Sequence, residues 1–289
     1  MERITFEQEG FHGIYHPAVK AFDQRKIVIV LGGSEGTENI PRNVGKMFAE
    51  QGISALGICY WNVPGLPDNL IRVPLEPFEK AISWIKRQGY KRIAMYGISK
   101  GAELALLCAS LIPDITGVIA LSPMHCIWSG TTGNKSMTSK KFTMVSEFSW
   151  RGKDFPYMKA ELKYGSAIWN LITQQQLNLA YMYTRPLENF DEATAFKVEN
   201  IQGDILFICA LEDLMWPSRQ SADYMVKRLE KNNWPHRVKT IVYDKASHIL
   251  VPLNPSKLNM FKVERKYPQE CQNNRQEAFA KTIEWLSEW

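Results

Sequence analysis

No stretch of this 289-residue sequence is apolar for long enough to span a bilayer, and the opening Met1-Glu-Arg-Ile-Thr-Phe-Glu7 has no apolar signal core. Neither a membrane span nor an export signal is expected. Basic tracts interleaved with aromatics are missing too. The formal net charge of +5 leans toward anionic ligands but falls short of a nucleic-acid footprint, so DNA and RNA are set aside as partners. Cysteine is scarce and lacks paired spacing: Cys59, Cys108, Cys126, Cys209 and Cys271 are an odd five. Cys59, Cys108 and Cys209 lie in apolar runs and read as buried free thiols, which points to a reducing cytoplasm. Internal repeats and low-complexity linkers are absent as well. What remains is an ordinary globular balance, 45% hydrophobic and 22% charged, at a length suited to one large α/β domain with an insertion.

The apolar runs alternate with helical patterns. Lys26-Ile-Val-Ile-Val-Leu31 is a β-branched run typical of a strand buried on both faces, and Ile53 to Tyr60, Gly117 to Ser122, Asp204 to Leu211 and Val238 to Tyr243 read as further strands. Helices are expected over about Pro41–Gln51, Leu75–Gln88, Arg219–Asn232 and Gln272–Trp289. Strands alternating with helices imply a mostly parallel sheet covered on both faces. Residues 1–25 read as an irregular start with one or two edge strands, His12 and His16 being surface residues. From Met124 to Gln202 the rhythm breaks.

The chain is organised around Arg92-Ile-Ala-Met-Tyr-Gly-Ile-Ser-Lys-Gly-Ala-Glu-Leu-Ala-Leu-Leu107. A short apolar run passes through Gly97-Ile98-Ser99-Lys100-Gly101 into an Ala/Leu-rich helix, the strand–turn–helix setting of a nucleophile elbow. So tight a reversal strains the serine backbone, and side chains at Gly97 or Gly101 would collide with the crossing helix or strand. Ser99 Oγ is thereby lifted to the open end of the sheet. The Lys100 N–H lies at the positive end of the new helix, where it can stabilise an oxyanion. The 124–202 interruption resembles the cap of an α/β-hydrolase, with 1–123 and 203–289 as its core.

A serine hydroxyl needs a base, and the base needs an acid to hold its tautomer. Of the five histidines, His12 and His16 precede the sheet, His125 lies at the cap approach, and His236 follows Trp234-Pro235 in a turn. Only His248 follows the last strand by a short loop, where the base must sit. Glu212 and Asp213 share the loop after Leu211 as candidate acids. Asp244 is too near His248 in the chain and reads as a loop residue. The loop Gly32-Gly33-Ser34-Glu35-Gly36 should supply the second oxyanion donor, the N–H of Ser34 or alternatively of Gly33, since glycines let the backbone approach substrate. As a phosphate-binding loop it lacks the G-K-[ST] ending and the Rossmann spacing.

Several segments together resemble the C-terminal catalytic domain of the acyl-CoA thioesterase and bile acid-CoA:amino acid N-acyltransferase family. They are Leu31-Gly-Gly-Ser-Glu-Gly36, Leu56-Gly-Ile-Cys-Tyr-Trp61, Gly65-Leu-Pro-Asp-Asn-Leu70, Pro74-Leu-Glu-Pro-Phe-Glu79 and Gly97-Ile-Ser-Lys-Gly-Ala-Glu-Leu104. Pro186-Leu187, Glu212-Asp213 with Trp216, Ser247-His248 and the cap segment Phe148-Ser-Trp-Arg-Gly-Lys-Asp-Phe-Pro156 complete the set. The resemblance implies an α/β-hydrolase with a Ser99, Asp213 and His248 triad, favours Asp213 over Glu212, and implies acyl-enzyme chemistry on a thioester. Acyltransferase members that conjugate amino acids use cysteine as nucleophile, so Ser99 favours water as the acceptor. This sequence has no room for the N-terminal β-sandwich of the longer members, which keeps a general carboxylesterase or a serine peptidase in play. A non-catalytic acyl-binding protein is the reading from another class.

The expected partner is thus a small-molecule acyl thioester or ester, and no metal or cofactor is required. Lys135, Lys140, Lys141, Arg151, Lys153, Lys159 and Lys163 could meet CoA phosphates or form a solvated face. Trp128, Phe142, Phe148, Trp150, Phe155, Tyr157 and Trp169 fit an acyl pocket or the packing of the cap equally well. The side chains of Lys100 and Glu103 read as helix-surface or structural groups.

Overall fold

The computed structural model describes residues 1–133, 141–161, 169, 172–173, 175–253 and 258–289. Its N-terminal part runs β1 (Glu2–Ile4), α1 (Phe6–Glu9), β2 (His12–His16), β3 (Lys26–Leu31), α2 (Asn39–Glu50), β4 (Ser54–Cys59), β5 (Val73–Pro74) and α3 (Glu76–Arg87). Then follow β6 (Arg92–Ile98), α4 (Lys100–Leu111) and β7 (Ile115–Leu121). After β7 come β8 (Ser129–Thr132), β9 (Lys141–Ser146), β10 (Phe148–Trp150), β11 (Lys153–Asp154) and a helix over Tyr181–Leu187. The last part holds β12 (Asp204–Ala210), a helix over Ser218–Lys231, β13 (Val238–Tyr243), a short helix over Lys262–Lys266 and the closing helix Pro268–Glu288.

Every residue of β3 and β4 is buried, as continuous β-branched and apolar runs demand of strands covered on both faces. The main sheet has eight strands in the order β1-β2-β4-β3-β6-β7-β12-β13. β2 is antiparallel to β1 and β4, and the rest pair in parallel. One face is covered by α3 and α4 through Phe78, Ile82, Ile85 and Leu104, the other by α2 and the closing helix through Val44, Phe48, Phe279 and Trp285. This is the α/β-hydrolase architecture the alternation implied.

Register decides where the chemistry can lie. Leu31 pairs with Gly97, Ile98 with Leu121, Leu121 with Ile208, and Ala210 with Tyr243. The carboxyl ends of β3, β6, β7, β12 and β13 therefore align at one edge, and the loops that follow them meet there.

Three expectations change. β2 is an interior strand, and His16 is buried, its ring against α2 where a side chain on Gly45 would meet Cδ2 at 3.2 Å; burial lowers its pKa. The closing helix starts at Pro268, a residue suited to a first helical position, rather than at 272. The segment after β7 is woven into the fold by strands: β10 pairs with β5, β8 with β9, and Phe148 joins the main core.

Candidate active site

Ser99 sits between β6 and α4 at φ 56°, ψ −121°, a positive-φ backbone conformation that L-residues rarely adopt. The surroundings enforce it. A Cβ on Gly97 would lie 2.1 Å from the Gly101 carbonyl oxygen, and one on Gly101 would lie 2.2 Å from that of Gly32. Only glycine allows α4 to cross the strand ends so closely. The Ser99 N–H donates to Leu121 O at 2.9 Å, and its carbonyl accepts the N–H groups of Ala102 and Glu103, so the elbow is tied to β7 and opens α4 at once.

His248 and Asp213 meet on the same edge. Their Nδ1 and Oδ2 atoms are 2.8 Å apart with side chains 4% and 2% exposed, so the pair works largely out of water. The other Asp213 oxygen accepts the Met215 N–H at 2.9 Å, which fixes the carboxylate. Ser122 Oγ donates to the His248 carbonyl at 2.8 Å, and Trp216 Nε1 donates to that of Ser122 at 2.9 Å. The Trp216 ring packs edge-on against the imidazole, centroids 5.3 Å apart. Ser99 and His248 thus hang from consecutive residues, Leu121 and Ser122. A Ser99 Oγ to His248 hydrogen bond is not among those formed between described residues.

Glu212 is exposed and lines a cavity of about 460 Å³ with Leu214, Asp244, Lys245, His248 and Lys262. Asp244 is exposed and pairs with Lys245 at 3.2 Å. The glycine loop lies against the elbow, since a Cβ on Gly33 would come within 3.3 Å of Ser99 Cβ. Tyr60 OH donates to the carbonyls of Gly32 and Gly33 at 3.0 and 2.7 Å. Although Glu35 exposes part of its surface, its carboxyl folds back over Gly32. Desolvation there raises its pKa, against the opposing pull of the Glu35 and Gly33 N–H groups.

Lys100 and Glu103 are structural and buried, and sequence reasoning missed their third partner, Glu147: Lys100 Nζ lies 2.8 Å from Glu103 Oε2 and 2.7 Å from Glu147 Oε2. The one available signal was α4 itself, apolar on every side and hence buried all round. Of the basic residues expected near a cap, Lys141, Lys153 and Lys159 are exposed, Arg151 reaches toward Glu79 at 3.7 Å, and Lys135, Lys140 and Lys163 lie outside the described residues. Trp128 and Phe148 are fully buried in packed clusters, Phe142, Trp150, Phe155 and Tyr157 are half-buried, and Trp169 is exposed. Among the described residues no cluster of metal-ligating side chains occurs, and no helix is long and apolar enough to cross a membrane.

Solved structures share this fold. A protein from Klebsiella pneumoniae assigned as a dienelactone hydrolase aligns with TM-score 0.58 at 14% identity, covering 100% of this chain and 98% of its own. An esterase of Pyrococcus furiosus aligns at 0.50 and 16%, covering 96% and 87%. The molecule has the α/β-hydrolase fold, with a serine at the elbow and a His–Asp pair on the same sheet edge. More particularly, residues 73–268 match the model of the BAAT / acyl-CoA thioester hydrolase C-terminal family, and the chain belongs to that family.

Mouse acyl-coenzyme A thioesterase 6 is 27% identical over 229 residues, 78% of this chain and 48% of the relative. Human acyl-coenzyme A thioesterase 1 is 23% identical over 212 residues, 71% and 45%. Mouse bile acid-CoA:amino acid N-acyltransferase is 21% identical over 270 residues, 91% and 54%. The chain spans about half the length of the curated relatives it matches.

Proposed function

We propose that the chain is a serine hydrolase of acyl thioesters, with Ser99 as nucleophile, His248 as base and Asp213 as the acid that orients it. The observation that carries this is the strained Ser99 held on the same strand ends as the 2.8 Å His248–Asp213 pair. Asp213 holds the proton on Nδ1, leaving Nε2 free to take the Ser99 proton as the hydroxyl attacks the acyl carbonyl. The carbonyl oxygen becomes an oxyanion. The Lys100 N–H at the start of α4 and the Ser34 N–H hold it; Gly33 serves less well, because its N–H already faces the Glu35 carboxyl. One such donor accounts for about 3 kcal/mol of barrier lowering.

The imidazolium then protonates the departing thiolate, leaving an acyl ester on Ser99. Water enters, gives its proton to His248 and attacks the ester; the tetrahedral intermediate collapses to free acid and Ser99. Residues 124–202 act as the cap over this edge, their Trp128 and Tyr183 packing with Trp216 from the loop after β12. Family membership supports a thioester as substrate, and serine in place of cysteine supports water as acceptor.

Labelling with a fluorophosphonate, followed by peptide mass spectrometry with and without acyl-CoA, tests the reading. The expected adduct is on Ser99, and acyl-CoA protects it. An adduct elsewhere, or one on Ser99 that acyl-CoA leaves unprotected while simple esters do protect, removes the thioester assignment.

A further inference from the structure

We propose that Lys100, Glu103 and Glu147 form a buried clamp through which the segment after β7 positions the nucleophile turn, Glu147 being a positioning residue for the Lys100 N–H. The proposal rests on the reading of Ser99 as the nucleophile.

The three side chains are 5%, 0% and 1% exposed. Charges so fully removed from water persist only when paired, because desolvation costs several kcal/mol per ion. Here one ammonium faces two carboxyls. Glu147 has the better claim to negative charge: its Oε1 accepts the Trp128 N–H at 2.9 Å while its Oε2 meets Lys100 Nζ at 2.7 Å. Its own N–H donates back to the Trp128 carbonyl. Neither Glu103 oxygen nor Lys100 Nζ makes a well-aligned hydrogen bond, so both contacts of the ammonium are ones of charge proximity, and of the two carboxyls Glu147 alone accepts a backbone N–H. A buried carboxylate without donors is better held as the neutral acid. Burial and the Glu147 charge both raise the Glu103 pKa. The other titratable groups facing the clamp are Tyr60, Cys126 and Tyr183, and burial raises each of them. They remain neutral, and the assembly is Lys100 ammonium, Glu147 carboxylate and Glu103 acid, with no net charge.

Covalent geometry connects this to chemistry. Residue 100 carries both the clamped ammonium and the first N–H after the nucleophile, so pinning the side chain pins the 99–100 peptide. The ammonium also lies 5.1 Å from the centroid of the Trp216 ring, and that ring packs on His248. Nucleophile turn and base are braced by one buried group, anchored at Trp128 in the segment after β7.

The clamp predicts an asymmetry between two glutamates that a mere packing role would not produce. Glu103→Gln replaces a neutral acid by a neutral amide; Glu147→Gln strips Lys100 of its counter-ion. Kinetics on an acyl-CoA and on a p-nitrophenyl ester, with fluorophosphonate inactivation rates and thermal melts, read this out. Glu147→Gln is expected to lower kcat about 10- to 100-fold on both substrates with KM within about twofold, as for a small misplacement of a reacting group. The inactivation rate falls in parallel, while Glu103→Gln stays within about threefold of wild type.

A folded Glu147→Gln with kcat within about threefold, or a Glu103→Gln as damaging, overturns the clamp. Should Glu147→Gln fail to fold, difference infrared spectroscopy of the wild type and Glu103→Gln decides. A protonated-carboxyl stretch present in the first and lost in the second supports the clamp, and its absence from wild type overturns it. Adduct mapping in the same experiment separates the two readings. A fluorophosphonate adduct away from Ser99 removes the underlying assignment, whereas an adduct on Ser99 with unchanged Glu147→Gln kinetics removes only the clamp.

Discussion

Asp213 and Glu212 are adjacent carboxylates on one loop, and their environments separate them. Asp213 is enclosed, held by the Met215 N–H and within 2.8 Å of His248, whereas Glu212 faces solvent and a cavity. A carboxylate that fixes an imidazole tautomer is worth about 10⁴ in kcat. Asp213→Asn should therefore lose turnover on that order, while Glu212→Gln should stay within about threefold; equal losses in steady-state assays would refute the assignment. His125 makes an imidazole–serine contact away from Ser99, Nδ1 to Ser221 Oγ at 2.9 Å, with Phe190 and Tyr224 packed on its ring. Burial pushes its pKa from 6.5 down to about 4. Below pH 6.5 the unfolded chain takes up a proton that the folded chain refuses, so stability falls as pH drops toward 4, by on the order of 3 kcal/mol. Urea unfolding at pH 7 and 4.5 should show a smaller acid loss in His125→Gln than in wild type.

At the scale of elements, the elbow shows what is legible in a sequence and what is not. Gly97 and Gly101 read as points of collision, and built Cβ atoms there do meet backbone oxygens at 2.1 and 2.2 Å. Gly101→Ala must push the Gly32 carbonyl away and should destabilise the fold by about 3 kcal/mol. Chemical denaturation measures it, and a loss under about 1 kcal/mol would mean that α4 can retreat without cost. Short apolar runs between helical patterns announce strands, so β3, β4, β6, β7, β12 and β13 lie within a residue or two of expectation, although β13 is an edge strand with Lys239 and Val242 exposed. The place of His248 on the sheet edge beside Asp213 was legible for a related reason, because chain order and strand ends narrow where the loop after the last strand can lie.

The failures have a common cause. His16 read as a surface residue because nothing local reports that β2 is clasped between β1 and β4 under α2. Glu147 carries no periodic signal, and its partner lies 47 positions earlier in the chain; only tertiary packing brings them together. Lys100 and Glu103 were closer to reach, since a helix apolar all round leaves its polar residues no solvent to face.

For the molecule as a whole, the relevant quantity is the net charge of +5. If the substrate carries the phosphates of coenzyme A, encounter is steered by the field of the whole protein, and ions screen it over a Debye length of about 10 Å at 0.1 M salt. A neutral p-nitrophenyl ester of the same acyl chain feels no such field. Raising salt from about 0.02 to about 0.5 M should lower kcat/KM for acyl-CoA about three- to tenfold while leaving the ester within about 1.5-fold. A thioester of N-acetylcysteamine separates the two halves of the substrate, for it keeps the sulfur leaving group and discards the phosphates. It should be hydrolysed at a kcat near that of acyl-CoA, because the proposed mechanism has the same chemistry at Ser99 for both, with the salt dependence gone. Salt dependence retained by the truncated thioester would locate the effect in the enzyme's own ion pairs, and a truncated thioester left untouched would mean that phosphate contacts are needed to assemble the site.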